Sequence, residues 1–403
     1  MNDVTVATRP PRVEHIRYSE RTTMSRFRSA NGHDEYFILI RSKREPRFDI
    51  ALDNVLRDYR LVLERNGLSR DTQVLSRYVL SDIQNQKDVL ERSALFGFAS
   101  AGAYAIIGQP PAFRGGGLYF LAYHIVGPMG RKREMDIGGK RHRNALTLTG
   151  DSYTMLYTGA FSGTAVLDSA KQTDEVFGAY NALLRAKGMT LFDDCWRTWI
   201  YCRDIDNHYA GMVEARKRMF IEEGLTEKTR YIASTGIEGK SLEVGSLVTM
   251  DALAVGGMKA EQAERMEALD HLCPTHIYGV TFERGQTLKF GDRAHHHISG
   301  TASIDTKGDV LHLGDVMRQT DRALDNVEAL LASKGASLAD MAYFIVYMRN
   351  PSEIMKVRES IYRRISRDAP ILFVEGSVCR PSWLVEVEGM AIAPAKEPYP
   401  DFF

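Results

Sequence analysis

This chain is short of several things that would declare a function. It has no excess of one charge: 52 basic side chains stand against 52 acidic ones. That balance removes the electrostatic motive for a nucleic-acid or anionic-membrane partner. No apolar run approaches the roughly 20 residues that cross a bilayer as a helix. The opening "MNDVTVATRPPRVEHIRYSE" lacks the apolar core of a signal peptide. There are only four cysteines (Cys195, Cys202, Cys273 and Cys379), and no two form a CxxC pair. A cytoplasmic protein with free thiols is therefore expected. Metal-ligand spacing is missing too. In "AHHH" only His295 and His297 share a strand face, and no acid or cysteine is spaced to complete a site, so no metal and no cofactor are expected.

What the sequence does have is repetition. "FSGTA" at 161–165 returns as "ISGTA" at 298–302, and "QTDEVFGAYNALLRAKG" at 172–188 returns as "QTDRALDNVEALLASKG" at 319–335. "WIYCRDI" (199–205) then answers "IVYMRNP" (345–351), and "GSLVTMDALAV" (245–255) answers "SWLVEVEGMAI" (382–392). A more divergent copy precedes both, marked by "ALDNV" at 51–55, identical to 323–327. The copies are placed at 34–127, 144–256 and 289–394, with an N-terminal extension over 1–33 and a linker over 257–288.

Each copy runs strand, amphipathic helix, strand, helix, strand. In the third, Val316, Thr320, Ala323, Leu324, Val327, Leu330 and Leu331 recur at helical spacing. The expected fold class is α+β, with helices on one face of a sheet. A unit of this size with a bare sheet face needs partners. Three in one chain predict a closed pseudo-threefold assembly, helices outside, a monomer that acts as its own trimer, with further self-association left open.

Near the end, "CRPSWLVEVEG" (379–389) alternates with period two and puts Glu386 and Glu388 on one strand face. Charge is costly there unless it is used or paired. Aligning the last strands of the copies matches Gly389 with Ala252 and Ala122, so that Glu386 falls opposite Thr249 and Tyr119. A carboxylate kept at one of three equivalent positions predicts one working cleft and two degenerate ones. Glu388 is read as the structural member of the pair.

The order SG…QT…NV..LL…G, then a strand, then "VEVEG.AIA", resembles the RidA (YjgF/YER057c/UK114) family, whose members form trimers with sites between subunits. The stretches "TWIYCRDIDNHY", "IASTGIEG", "YGVTFERG", "HISGTASI" and "CRPSWLVEVEG" resemble, within it, the chorismatases, which cleave the enolpyruvyl ether of chorismate. The first copy departs from that pattern. The resemblance implies that Glu386 is a catalytic acid, made so by apolar flanks that raise its pKa. It implies a small carboxylated metabolite as partner, either chorismate or an imino or enamino acid. Two alternatives accompany the enol-ether-cleaving enzyme: a RidA-like imine or enamine deaminase, and a small-molecule-binding protein without catalysis.

Arginine is the side chain to grip such a carboxylate. Arg230, in "EKTRYIASTG", is the leading candidate, with Arg216 and Arg218 on the helix "GMVEARKRMF" behind it. Cys379 and Arg380 are expected at the cleft wall, and Tyr278 could reach it from the linker.

Overall fold

A computed structural model describes residues 13–403 except 114, 116 and 165, and leaves out the side chains of His276 and Tyr278. The first unit contains β1 (Val13–Arg17), β2 (Thr22–Phe27), β3 (Glu35–Arg41), α1 (Phe48–Asn66), β4 (Gln73–Leu80), α2 (Ile83–Glu91), α3 (Ala94–Ala99), β5 (Ala103–Gly108) and β6 (Leu118–Ile125). The second contains β7 (Gly130–Met135), β8 (Asn144–Thr149), β9 (Thr154–Ser162), α4 (Ser169–Ala186), α5 (Leu191–Asp194), β10 (Cys195–Cys202), α6 (Ile205–Glu222), β11 (Ala233–Glu238) and β12 (Val248–Gly256). The third contains β13 (Ala263–Arg265), β14 (Gly285–Lys289), β15 (Arg293–Ala302), α7 (Val316–Ala332), β16 (Met341–Met348), α8 (Ile354–Tyr362), β17 (Ile371–Glu375) and β18 (Val385–Pro394).

Each unit builds one six-stranded mixed sheet with the same order, β1-β2-β3-β6-β4-β5 in the first and its counterparts in the others. The long helices α1, α4 and α7 cover one face because their apolar stripes are buried there. Gly67, Gly188 and Gly335, each at positive φ (64°, 71° and 71°), lie just past their ends, where a side chain would be strained. The opposite sheet faces meet at the centre. A narrow cavity of about 30 Å³ lies between them, lined among others by Arg77 and Tyr123 of the first unit, Trp199 and Leu253 of the second, and His297 and Tyr343 of the third. The pseudo-threefold assembly expected from the repeat is the architecture found. No described helix is long and apolar enough to cross a membrane.

The units are wider than the repeat suggested. Part of the supposed N-terminal extension forms β1 and β2, the gap before residue 144 forms β7, and the supposed linker supplies β13 and most of β14. These are edge or near-edge strands such as "VEHIR" and "GRKREM". A half-exposed strand has too few apolar residues to announce itself.

A buried arginine–carboxylate pair sits at every seam. Arg197 meets Glu388 at 2.6 Å between units two and three, and Arg293 meets Glu35 at 2.6 Å between three and one. Arg77 stands 4.0 Å from Asp251 between one and two. The seams are thus polar joints set in an apolar core, each with an arginine of one unit facing a carboxylate of another.

Candidate active site

The ladder registers test the equivalence drawn from sequence. Tyr347 faces Glu386, Tyr201 faces Thr249, and Val79 faces Tyr119, at the same place in the three sheets. Glu386 is the single carboxylate of that set. The next inward position holds Glu388, Asp251 and Leu121, so two units keep an acid there, and both of those acids take part in seams.

Glu386 lines a cleft of about 150 Å³ between units two and three. β18 carries it; β11 and α6 of the second unit form the facing wall, with Ser234, Gly236, Tyr209 and Arg216. Glu386 is only 5% exposed. Burial, with the neighbouring charge of Glu388, pushes its pKa up to about 8, and Arg284 and Arg197 only partly oppose this. Among the described residues, none donates a hydrogen bond to it.

The room for this carboxyl comes from Gly300. A Cβ at Gly300 would lie 1.7 Å from Glu386 Oε1. The glycine sits at an irregularity where β15 shifts register against β18 between Ile298 and Thr301, and bulges of this kind re-aim side chains beside sites. Its amide donates to Thr235 Oγ1 at 2.9 Å, so the second unit holds the bulge in place. Gly300→Ala must displace the Glu386 carboxyl. We expect at least about a hundredfold loss of turnover with the fold retained, checked by steady-state rates beside a thermal melt.

Glu388 is fully buried and fully engaged. It receives Arg197 Nη2 at 2.6 Å, Trp199 Nε1 at 3.0 Å, Tyr347 Oη at 3.1 Å and a short bond from Thr235 Oγ1. Nothing of it is left to offer a ligand. It is the structural partner expected from the sequence.

The arginines divide. Arg216 lines the cleft and is 1% exposed, with its Nε 3.3 Å from Thr281 Oγ1. Arg380 lines the same cleft, its guanidinium 5.0 Å from the centre of the Trp383 ring. Arg230 does not enter it. Its guanidinium stacks 3.9 Å over Trp196 and donates to the carbonyls of Phe192 and Cys195, the latter at 2.9 Å. It locks the α5–β10 junction beside a different cavity, and burial lowers its pKa to about 10. Arg218 lies outside the cleft too, paired with Asp174 at 2.7 Å on a half-exposed helix face. One residue's place in an alignment did not reveal that the backbone at 191–195 would consume its donors.

Cys379 lines the cleft, and burial next to Glu386 pushes its thiol up to about 12. A thiol so placed stays protonated and makes a poor nucleophile. Tyr278 falls in a short 3₁₀ turn, Thr275–Tyr278, and its side chain lies outside the described residues. Among the lining residues that the sequence did not single out are Tyr209 on α6 and Arg284, whose Nε and Nη2 each reach the Cys273 carbonyl at 3.3 Å. The signal for Arg284 was available, since it stands in "YGVTFERG" beside Gly285, but a lone arginine in a supposed linker carries no pattern. Among the described residues no group of three or more His, Cys, Asp or Glu side chains is arranged to hold a metal.

Known proteins of similar sequence and fold point the same way. The model of the endoribonuclease L-PSP family matches residues 290–393, the third unit. A RutC family protein of Pyrococcus abyssi is 30% identical over 107 residues, which is 26% of this chain and 83% of that protein. The chain belongs to the RidA family. Within it, longer matches extend over more than one RidA unit. A 3-hydroxybenzoate synthase of Streptomyces hygroscopicus is 25% identical over 53% of this chain and 71% of its own length. A chorismatase of the same organism is 28% identical over 48% of this chain and 60% of its own length. The crystal structure of a chorismatase superposes with a TM-score of 0.62 at 21% identity, covering 80% of this chain and 93% of that one. The fused RidA units therefore have a chorismatase-like fold.

Proposed function

We propose that this protein is an enzyme of chorismatase type, which cleaves an enol ether in a small unsaturated carboxylated metabolite such as chorismate by general-acid catalysis. The observation that carries this reading is Glu386: a buried carboxyl protonated at neutral pH, without a hydrogen-bond donor among the described residues, at the wall of a cleft that also holds Arg216, Arg284 and Arg380. An enol ether breaks when a proton is delivered to its terminal methylene carbon. Carbon accepts protons slowly, so the acid must be held in place and still carry its proton. The Glu386 proton goes to the methylene, leaving an oxocarbenium ion next to a carboxylate. Water adds to that carbon and the resulting hemiketal collapses to pyruvate and the ring alcohol, while a proton returns to Glu386. One water is consumed and no redox partner is needed. The cleft arginines supply the grip for the substrate's carboxylates.

The acid form is the active one, so the rate is set by the fraction protonated. We expect kcat/KM to be level below about pH 7 and to fall about tenfold per pH unit above about pH 8. A profile that rises through this range would reverse the role of Glu386.

A 3-aminoacrylate deaminase RutC of Acinetobacter baylyi, 24% identical over 24% of this chain and 76% of its own length, supports a second reading, in which the same carboxyl directs water onto an imine or enamine carbon. Incubation with chorismate and, separately, with 2-aminoacrylate, assayed for pyruvate and ammonia, separates the two. Pyruvate from chorismate without ammonia supports the first. Ammonia release above the spontaneous rate, with chorismate untouched, sinks it.

A further inference from the structure

The cleft between units three and one is the pseudo-symmetric counterpart of the candidate active site, and it has been rebuilt. By ladder register, Tyr119 stands at the place of Glu386, Arg41 at that of Ala302, Ile371 at that of Ser234 and Phe373 at that of Gly236. The acid is gone and so is the small polar floor. The space is not closed: the cavity measures about 330 Å³, against about 150 Å³ at the Glu386 cleft.

What fills its walls is positive charge. Arg17, Arg21, Arg41, Arg358 and Arg367 line it, against Glu20 as the one lining acid. Arg17 is occupied by Asp368 at 2.9 Å. Among the described residues no carboxylate comes within 4.0 Å of Arg21, Arg41, Arg358 or Arg367. The guanidinium carbons of Arg41 and Arg358 both sit over Phe113, at 4.4 and 5.1 Å from its ring centre, and Arg367 lies 5.0 Å over Tyr362. Nε of Arg21 and Nε of Arg358 are buried without a hydrogen-bond partner. Arg21, Arg41 and Arg358 are half-buried and Arg17 and Arg367 exposed; cations gathered in a partly shielded cleft repel one another and favour an incoming anion.

We propose that this cleft is a second ligand site, which binds a small organic anion bearing two or more carboxylate or phosphate groups and does not transform it. The anionic groups take the donors of Arg21, Arg41 and Arg358, and the ligand's flat or apolar body lies against Tyr119, Tyr362 and Phe373. With no carboxyl among its lining residues at the Glu386 position, the cleft has no proton to give. This assignment stands whether or not the Glu386 cleft acts on an enol ether.

The test is titration calorimetry with trimesate for the carboxylate class and inorganic pyrophosphate for the phosphate class, each at low and high salt. Wild-type protein is expected to bind one of them with a salt-sensitive Kd below about 1 mM. The pair Arg41→Ala with Arg358→Ala should weaken that binding by about tenfold or more, and Glu386→Gln should leave it unchanged. The bound probe should be recovered chemically intact. If the double variant does not fold, Arg358→Glu on the outer helix α8 repeats the comparison. No saturable binding of either probe, binding indifferent to the arginine substitutions, or binding lost with Glu386→Gln would each overturn the proposal.

Discussion

Glu386→Gln is expected to lose activity and gain stability at once. Turnover should fall by roughly 10²–10⁴, the usual contribution of a positioned general acid, because the amide keeps the shape and cannot deliver the proton. Substrate affinity should change much less. The stability effect has the opposite sign and follows from the same burial. The carboxyl has a pKa of about 8 when folded against 4.5 in its ordinary state. Below the ordinary value both states hold the proton and nothing is lost. As pH rises the unfolded chain ionises and the folded one does not, so stability falls progressively until the folded group also ionises near pH 8. At pH 7 this amounts to roughly 3 kcal/mol. The amide does not titrate, so the variant should melt higher, by a margin that opens between about pH 5 and pH 8. Chemical denaturation of both proteins at several pH values measures it. A variant that keeps full turnover, or one with a pH-independent stability difference, removes Glu386 from its assigned role.

Glu388→Ala should do the reverse, damaging the fold first. The substitution strands Arg197 in the core and leaves donors from Trp199, Tyr347 and Thr235 without an acceptor. Breaking a buried pair by removing one partner costs about 3–5 kcal/mol. This pair lies at the seam between units two and three, so the loss should appear as early exchange of amides in β11 and β18 before global unfolding. Asp251→Asn, at the seam between units one and two, should cost less. Its partner Arg77 stands 4.0 Å away, and burial already raises the Asp251 pKa to about 6. Urea titration of the two variants, followed by hydrogen exchange, checks both magnitude and place. Equal losses would show that the two seams are not distinguished by their ion pairs.

Much of the architecture was legible in one dimension. Helix α7 shows its buried face by spacing alone, and the recurrence of "SGTA", "QTD" and the closing strand marks the repeated units without any tertiary contact. The uniqueness of Glu386 was also legible, because equivalent positions in a repeat can be compared within a single chain. These features record local burial, and local burial is written in periodicity. The strands β1, β2, β7 and β13 were not legible: β1, β7 and β13 are edges that bury little, and β2, though largely buried, carries only Met24 and Phe27 as apolar residues.

The choice among arginines was decided by tertiary structure alone. Arg216, Arg230 and Arg218 are chemically the same group, and nothing in their flanking residues says which will reach a cleft. Arg230 folds back onto the carbonyls of 192 and 195, Arg218 finds Asp174, and Arg216 reaches the cleft beside Arg284, which arrives from another unit. The same holds for the rebuilt cleft of units three and one, where Arg41 and Arg358 meet over one phenylalanine from distant parts of the chain. The repeat, the strand and its lone acid follow from interactions between near neighbours in sequence. Which charges face one another across a seam depends on contacts between residues far apart in the chain, and those exist only once the three sheets have closed on each other.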